Sequence, residues 1–204
     1  MPYFILNSKR VFFIHVPKTA GSTILNYLAG LGAEKFNEPF FMDGREIHPR
    51  HQPREVLEEI FDPAMFDLVF MVVRHPVARL VSEYRYQRRK GGYRLANFLG
   101  FGWWLRYHLF RFRSNPSWRD HHFRPQTSFE SLGCRVFRLE EGLAAPFAAL
   151  AEVTGVPRNE NPPRRNVSVP IPVKVSGRDL CSIARVYEAD FKRYGYEVAI
   201  PEGV

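Results

Sequence analysis

Phe12-Phe13-Ile14-His15-Val16-Pro17-Lys18-Thr19-Ala20-Gly21-Ser22-Thr23 is the stretch whose reading decides the fold. Its apolar half reads as a buried strand over residues 10–16. Its second half is a tight turn of small residues carrying one Lys, and it opens an amphipathic helix over residues 22–31. A strand, a turn and a helix in that order build an anion site. The first N–H groups of a helix have no acceptor within it and point outward, and the helix dipole adds about half a positive charge at that end. Ala20 and Gly21 let the backbone approach an anion closely, Ser22 and Thr23 offer hydroxyls, and Lys18 adds a full charge. The stretch therefore predicts a phosphate or sulfate group held against the start of the first helix, by residues Lys18, Thr19, Ala20, Gly21, Ser22 and Thr23.

Outward from this turn, residues 67–73 (Asp-Leu-Val-Phe-Met-Val-Val) form a near-continuous apolar run. Such a run suits a central parallel strand buried on both faces. Residues 77–89 continue as a helix, so Arg74 stands at the carboxyl end of the strand, where open α/β sheets bind ligands. An Arg at a helix start opposes the dipole, and a bound anion explains it better than a solvated surface position does. Ser82, two turns further on, reads as a second donor to the same anion.

Further elements read as a loop over 37–52, a helix over 53–60, and an aromatic, basic helix over 93–113 interrupted by Gly100 and Gly102. A polar loop follows over 114–126, then a strand over 135–139, a helix over 146–154, an irregular loop over 159–175 and one final helix over 176–194 closed by Gly195. Strands alternating with helices predict an α/β fold, three layers around a short central parallel sheet.

The chain has 204 residues, 45% hydrophobic and 25% charged, which fits one soluble domain over residues 1–204. Its formal net charge is +8. That balance suits a polyanionic ligand, nucleic acid or an anionic surface without choosing among them. Two cysteines, Cys134 and Cys181, exclude a disulfide scaffold and predict a reducing compartment. Residues 1–6 are too short and lack a basic leader for a signal peptide. No apolar run reaches the roughly 20 residues that span a bilayer, so no stable membrane insertion is expected.

Two anion sites at strand ends suggest a ligand with two separated charged groups. Residues 16–23 resemble the 5′-phosphosulfate loop of the sulfotransferases, closest to the heparan sulfate 2-O-sulfotransferase and carbohydrate sulfotransferase group. Arg74-x-Pro76-x-x-Arg79-x-x-Ser82-x-Tyr84 resembles that family's 3′-phosphate motif, with His75 where Asp or Asn is common. Weaker matches are Pro125-Gln126, Arg138-Leu139-Glu140, Asn166-x-Ser168 and Tyr187-x-x-Asp190-Phe191-x-x-Tyr194-Gly195-Tyr196.

The resemblance implies a P-loop-like fold and 3′-phosphoadenosine 5′-phosphosulfate (PAPS) as donor. Residues 18–23 would hold its 5′-phosphosulfate, and Arg74 and Ser82 its 3′-phosphate. Lys18 would neutralise the leaving phosphate oxygen, and the scheme requires no metal. The acceptor would be a hydroxyl, by resemblance that of a carbohydrate, with no nucleic acid as partner. The lack of an anchor points to a cytoplasmic, bacterial enzyme.

A His near neutral pH is the natural base. His51 is the first candidate, since related enzymes carry a catalytic His in a comparable segment, and His48 is the reserve. Solvated loop histidines are the competing reading. His121-His122 is a second pair, His15 reads as a packed core residue, and His108 fits either role. Residues 103–113 read either as an acceptor wall or as a core-facing helix with a basic outer face. Arg164-Arg165 either closes over the cofactor or is solvated. Two other functions use the same features. One is a P-loop kinase, although Gly-x-x-x-x-Gly-Lys is missing. The other is a non-enzymatic module that binds polyanions.

Overall fold

The computed structural model describes residues 3–36, 38–42, 44–48, 50–90, 99–157 and 171–203. The chain divides into two compact units. The first comprises Met1–Val73 and Ser128–Arg165, and the second Arg74–Thr127 and Asn166–Val204.

The first unit carries a five-stranded sheet in the order β3-β1-β2-β6-β7. Its strands are β1 (Tyr3–Leu6), β2 (Lys9–Ile14), β3 (Ala33–Lys35), β6 (Leu68–Val73) and β7 (Arg135–Arg138). The centre is parallel, as expected: β2 pairs with β6 and β6 with β7. All six residues of β6 are buried. The fold is mixed α/β with a parallel trio, β2-β6-β7, in the sheet, in keeping with a P-loop-like fold.

The sheet also has an antiparallel side, β3-β1-β2, that the sequence reading lacked. Residues 3–6 form β1. They pair with β2 through a two-residue turn, Asn7-Ser8, both at positive φ (45° and 65°). That is the twist tight hairpins favour, but Asn-Ser is a weaker signal for it than Asn-Gly. A second correction concerns residues 37–52, read as a loop. They hold a hairpin of β4 (Phe40–Met42) and β5 (Arg45–Ile47), whose strands are too short to show alternation.

Side chains alternate across β2. Val11 and Phe13 join Phe70, Val72, Ile24, Leu25 and Leu28 in one apolar cluster, with Phe147 and Leu150. This buries the apolar stripe of α1 (Gly21–Ala29) and one side of α5 (Ala144–Thr154). On the other face Phe12 meets the rings of Phe61 and Phe66 at 5.0 and 4.8 Å. Phe61 closes α2 (Arg54–Ile60). The carboxyl ends of β2 and β6 lie side by side, with Ile14 opposite Met71.

The second unit is helical. It contains α3 (Pro76–Lys90), α4 (Phe101–Ser114), α6 (Gly177–Val186) and α7 (Glu188–Tyr194). The last two correct the single helix expected over 176–194. The chain turns at Tyr187 (φ −109°, ψ 24°), whose buried hydroxyl donates to the Phe123 carbonyl at 2.8 Å. A helical period continues across such a turn, so the pattern alone does not reveal it. No helix among the described residues is long and apolar enough to cross a membrane.

Helix α4 resolves the reading of residues 103–113. Trp104, Leu105, His108 and Leu109 are buried, and Trp103 and Phe110 are exposed. His108 is a packing residue, stacked on Phe123 at 4.6 Å. The Trp118 indole N–H, which can only donate, is 2.9 Å from its Nδ1, which is therefore unprotonated. Burial, aided by Arg119 and Arg111 and opposed by Glu83, pushes the His108 pKa down to about 4 from 6.5. Between these values the unfolded chain binds a proton at this site that the folded chain refuses, so stability falls as pH drops from 6.5 toward 4. The shift corresponds to about 3 kcal/mol. His108→Phe should remove about that much of the acid-dependent loss in urea unfolding. An unchanged difference in stability between pH 7 and pH 4 would contradict this.

Candidate active site

The turn between β2 and α1 is held open by its backbone. Lys18 and Ala20 both occupy the left-handed region, at φ 68° and 66°, a conformation that costs non-glycine residues free energy and clusters at functional sites. Left-handed residues within a turn are one ingredient of the backbone concavities that suit anions. Ala20 is the N-cap of α1, with no side-chain cap and no acid in the first turn. The first helical bonds to Ala20 O come from Thr23 (2.9 Å) and Ile24 (3.2 Å), leaving the N–H groups of Gly21 and Ser22 ahead of the ladder. By contrast, α6 satisfies its own start through a capping box of Ser176 and Asp179.

The predicted residues of the turn divide by role. Thr19 is fully buried and its hydroxyl donates to Val16 O at 2.9 Å, closing the loop, so it offers only its backbone outward. Ser22 is exposed, Thr23 is buried and Lys18 is half-buried.

His15, read from sequence as core, is buried at 7% exposure, but its ring lies over Gly21. A Cβ on Gly21 would stand 1.9 Å from its Nε2. The His51 ring meets that of His15 edge-on at 4.5 Å. His51 itself has φ 57°. Its turn is braced by Gln52, whose amide donates to the carbonyls of His48 (2.8 Å) and Arg50 (3.4 Å). His48 is exposed, with Nε2 4.0 Å from Glu46. The two candidate bases thus differ in setting: His51 packs on the ring that covers the helix start, and His48 faces solvent.

In the second unit a polar network fixes the backbone at Arg74. The Arg74 N–H donates to Gln126 Oε1, and Gln126 Nε2 donates to the Arg74 carbonyl, both at 2.8 Å. Gln126 is held by Asp190. The Gln126 N–H donates to Oδ2 at 2.8 Å, and the Thr127 N–H and hydroxyl donate to Oδ1 at 2.9 and 3.1 Å. Asp190 is fully buried; burial raises its pKa, and Arg79 and these donors oppose the rise. Arg79 is 1% exposed and donates to the carbonyls of Arg124 (2.8 Å) and His122 (3.0 Å). Arg79, Gln126 and Asp190 therefore position the segment that carries Arg74. In the sequence they stand only as parts of motifs, because their partners lie 43 to 64 residues away. Ser82 is half-buried on α3.

His122, of the second candidate pair, has Nδ1 2.9 Å from Glu83 Oε2. The other Glu83 oxygen accepts from Gln87 Nε2, whose own Oε1 accepts from the Trp104 indole. Arg164, Arg165, Asn166 and Ser168 lie outside the described residues.

The first unit thus presents an uncapped helix start behind a left-handed turn, and the second an Arg74 whose backbone is locked by Gln126. Residues 1–197 match the Sulfotransferase family, and the chain belongs to that family. No curated protein and no solved structure matches it. Membership implies a transferase that moves sulfuryl groups, and the kinase and polyanion-binding alternatives give way to it.

The contact between Gly21 and His15 makes a direct prediction. Gly21→Ala should destabilise the protein by about 1–3 kcal/mol, as overpacking does. In a His15→Ala background the same change should cost much less, a coupling that a double-mutant cycle reads from urea unfolding. Equal costs in both backgrounds would show that the ring does not press on Gly21.

Proposed function

We propose that this sulfotransferase uses PAPS as donor and transfers its sulfuryl group to a hydroxyl, that of a carbohydrate, with residues 1–204 acting as one functional domain. The observation that carries the reading is the uncapped, acid-free start of α1 behind Lys18 and Ala20. In a member of this family, the charge such a site calls for is a phosphosulfate.

In the proposed reaction the acceptor oxygen attacks sulfur in line. The bond from sulfur to the bridging phosphate oxygen breaks as the new S–O bond forms. The products are a sulfate ester and 3′-phosphoadenosine 5′-phosphate. Lys18 and the N–H groups of residues 19–22 stabilise the charge that gathers on the leaving phosphate. The hydroxyl of Thr23 completes that cradle, and Arg74 and Ser82 bind the 3′-phosphate. As in phosphoryl transfer, positioning and electrostatics do most of the work.

His51 takes the acceptor's proton. Its packing on His15 favours it over the exposed His48. The free thiols Cys134 and Cys181 fit a reducing compartment, and the cytoplasm is the proposed location.

Thermal unfolding tests the donor. Excess 3′-phosphoadenosine 5′-phosphate should raise the melting temperature by several degrees, as a ligand of the native state does. Lys18→Ala should cut kcat about 10²-fold or more, and Arg74→Ala should chiefly weaken binding. A folded protein whose melting temperature responds to neither the nucleotide nor PAPS would refute the proposal.

The base is tested separately. His51→Ala should lower kcat/KM about 10²-fold or more and abolish the acid limb of its pH profile. His48→Ala should leave both nearly unchanged. The reverse pattern would assign the proton to His48.

A further inference from the structure

The second unit contains a cavity of about 430 Å³, within the range of small-ligand sites. It is lined by Tyr84 and Arg88 of α3, by Trp103 and Arg106 of α4, and by Lys174 and Asp179. Three cations face one carboxylate, which leaves a formal excess of two positive charges. The carboxylate is already engaged: Asp179 Oδ2 accepts from the Ser176 N–H and hydroxyl at 3.0 and 2.7 Å, and Oδ1 lies 3.7 Å from Arg106 Nη1. It also stands where a side chain on Gly102 would be, 2.8 Å from a Cβ built there, and so occupies the first turn of α4. The remaining attraction for an anion comes from the side chains and not from that helix start.

The walls add flat apolar surface. Trp103 is 66% exposed at the lip, with the Arg106 guanidinium 4.5 Å from its ring. Arg88 lies 5.8 Å from the Tyr84 ring. The Tyr84 hydroxyl donates to Leu99 O, which fixes the ring. The exposed Trp103 face beside Arg106 suits a ring on one side and an anionic group on the other, while the Tyr84 ring near Arg88 is buried at 4% exposure. Along α3, Tyr84 and Arg88 are about 200° and 240° around the axis from Ser82, so the cavity opens on the other side of that helix from the residue assigned to the 3′-phosphate.

We propose that this cavity is a second anion site, separate from that for the donor, which binds a sugar residue bearing one sulfate, phosphate or carboxylate group. The sugar ring lies on Trp103, and its anion meets Arg88, Arg106 and Lys174. The site does not depend on the donor being PAPS.

Calorimetric titration of the whole protein tests it, with glucose 6-sulfate, glucose 6-phosphate, glucuronate, glucose and inorganic sulfate as probes. At least one anionic sugar should bind 10-fold or more tighter than both glucose and inorganic sulfate, and the three anionic arms rank the headgroups. The double variant R88Q/K174Q and the single variant W103A should each weaken that binding 10-fold or more. Both should keep the wild-type melting-temperature response to 3′-phosphoadenosine 5′-phosphate, whose absence in wild type would sink only the donor assignment. Four results would overturn the proposal: no anionic sugar binding, equal binding of glucose, unchanged affinity in the variants, or displacement of the sugar by saturating nucleotide.

Discussion

Everything in the candidate site depends on the way the chain leaves β2. The strand is buried on both faces, so its end is fixed by the core on either side. The turn that follows adopts left-handed backbone at two residues that have side chains, Lys18 and Ala20. Such strain persists only where surrounding structure enforces it. Here the enforcement is visible: the Thr19 hydroxyl ties the loop to Val16, and the stripe of Ile24, Leu25 and Leu28 anchors the helix to the core. The helix start thus has no side-chain cap of its own, with Gly21 under the His15 ring and Ser22 exposed.

The second unit solves a related problem by different means. A cation at a helix start is electrostatically disfavoured, and nothing local in the sequence would hold the chain there. The reciprocal amide bonds of Gln126 hold it, and buried Asp190 holds Gln126. Burying a carboxylate is costly unless it is well satisfied, and Asp190 accepts from two backbone N–H groups and a hydroxyl. The cost of burial is offset within the network, and Arg74 gains a fixed backbone.

Much of this was legible in the sequence, for physical reasons that differ by element. The apolar run at 68–73 and the periodic stripe of α1 signal themselves, because burial imposes the pattern directly. The Lys18 turn was readable as the break between strand and helix because Pro17, Ala20 and Gly21 suit a tight turn there. The antiparallel strands β1 and β3 were not, since each has only three or four residues, the Asn7-Ser8 turn is a weak hairpin signal, and β3 pairs with β1 across about 30 residues. The ring of His15 over Gly21 was also hidden, because strand alternation says which face a residue takes and not which atom it meets. Gln126 and Asp190 stood in the motifs without a role, for their meaning lies in a contact 64 residues long.

The most direct measurement is phosphorus NMR of 3′-phosphoadenosine 5′-phosphate titrated with the protein. Its two phosphate signals report the two grips independently. Both should shift on binding to the wild-type chain. Lys18→Ala should return mainly the 5′ signal toward its free position, and Arg74→Ala mainly the 3′ signal. If neither signal moves, or if both substitutions release the same phosphate, the assignment of one anion to each strand end is wrong.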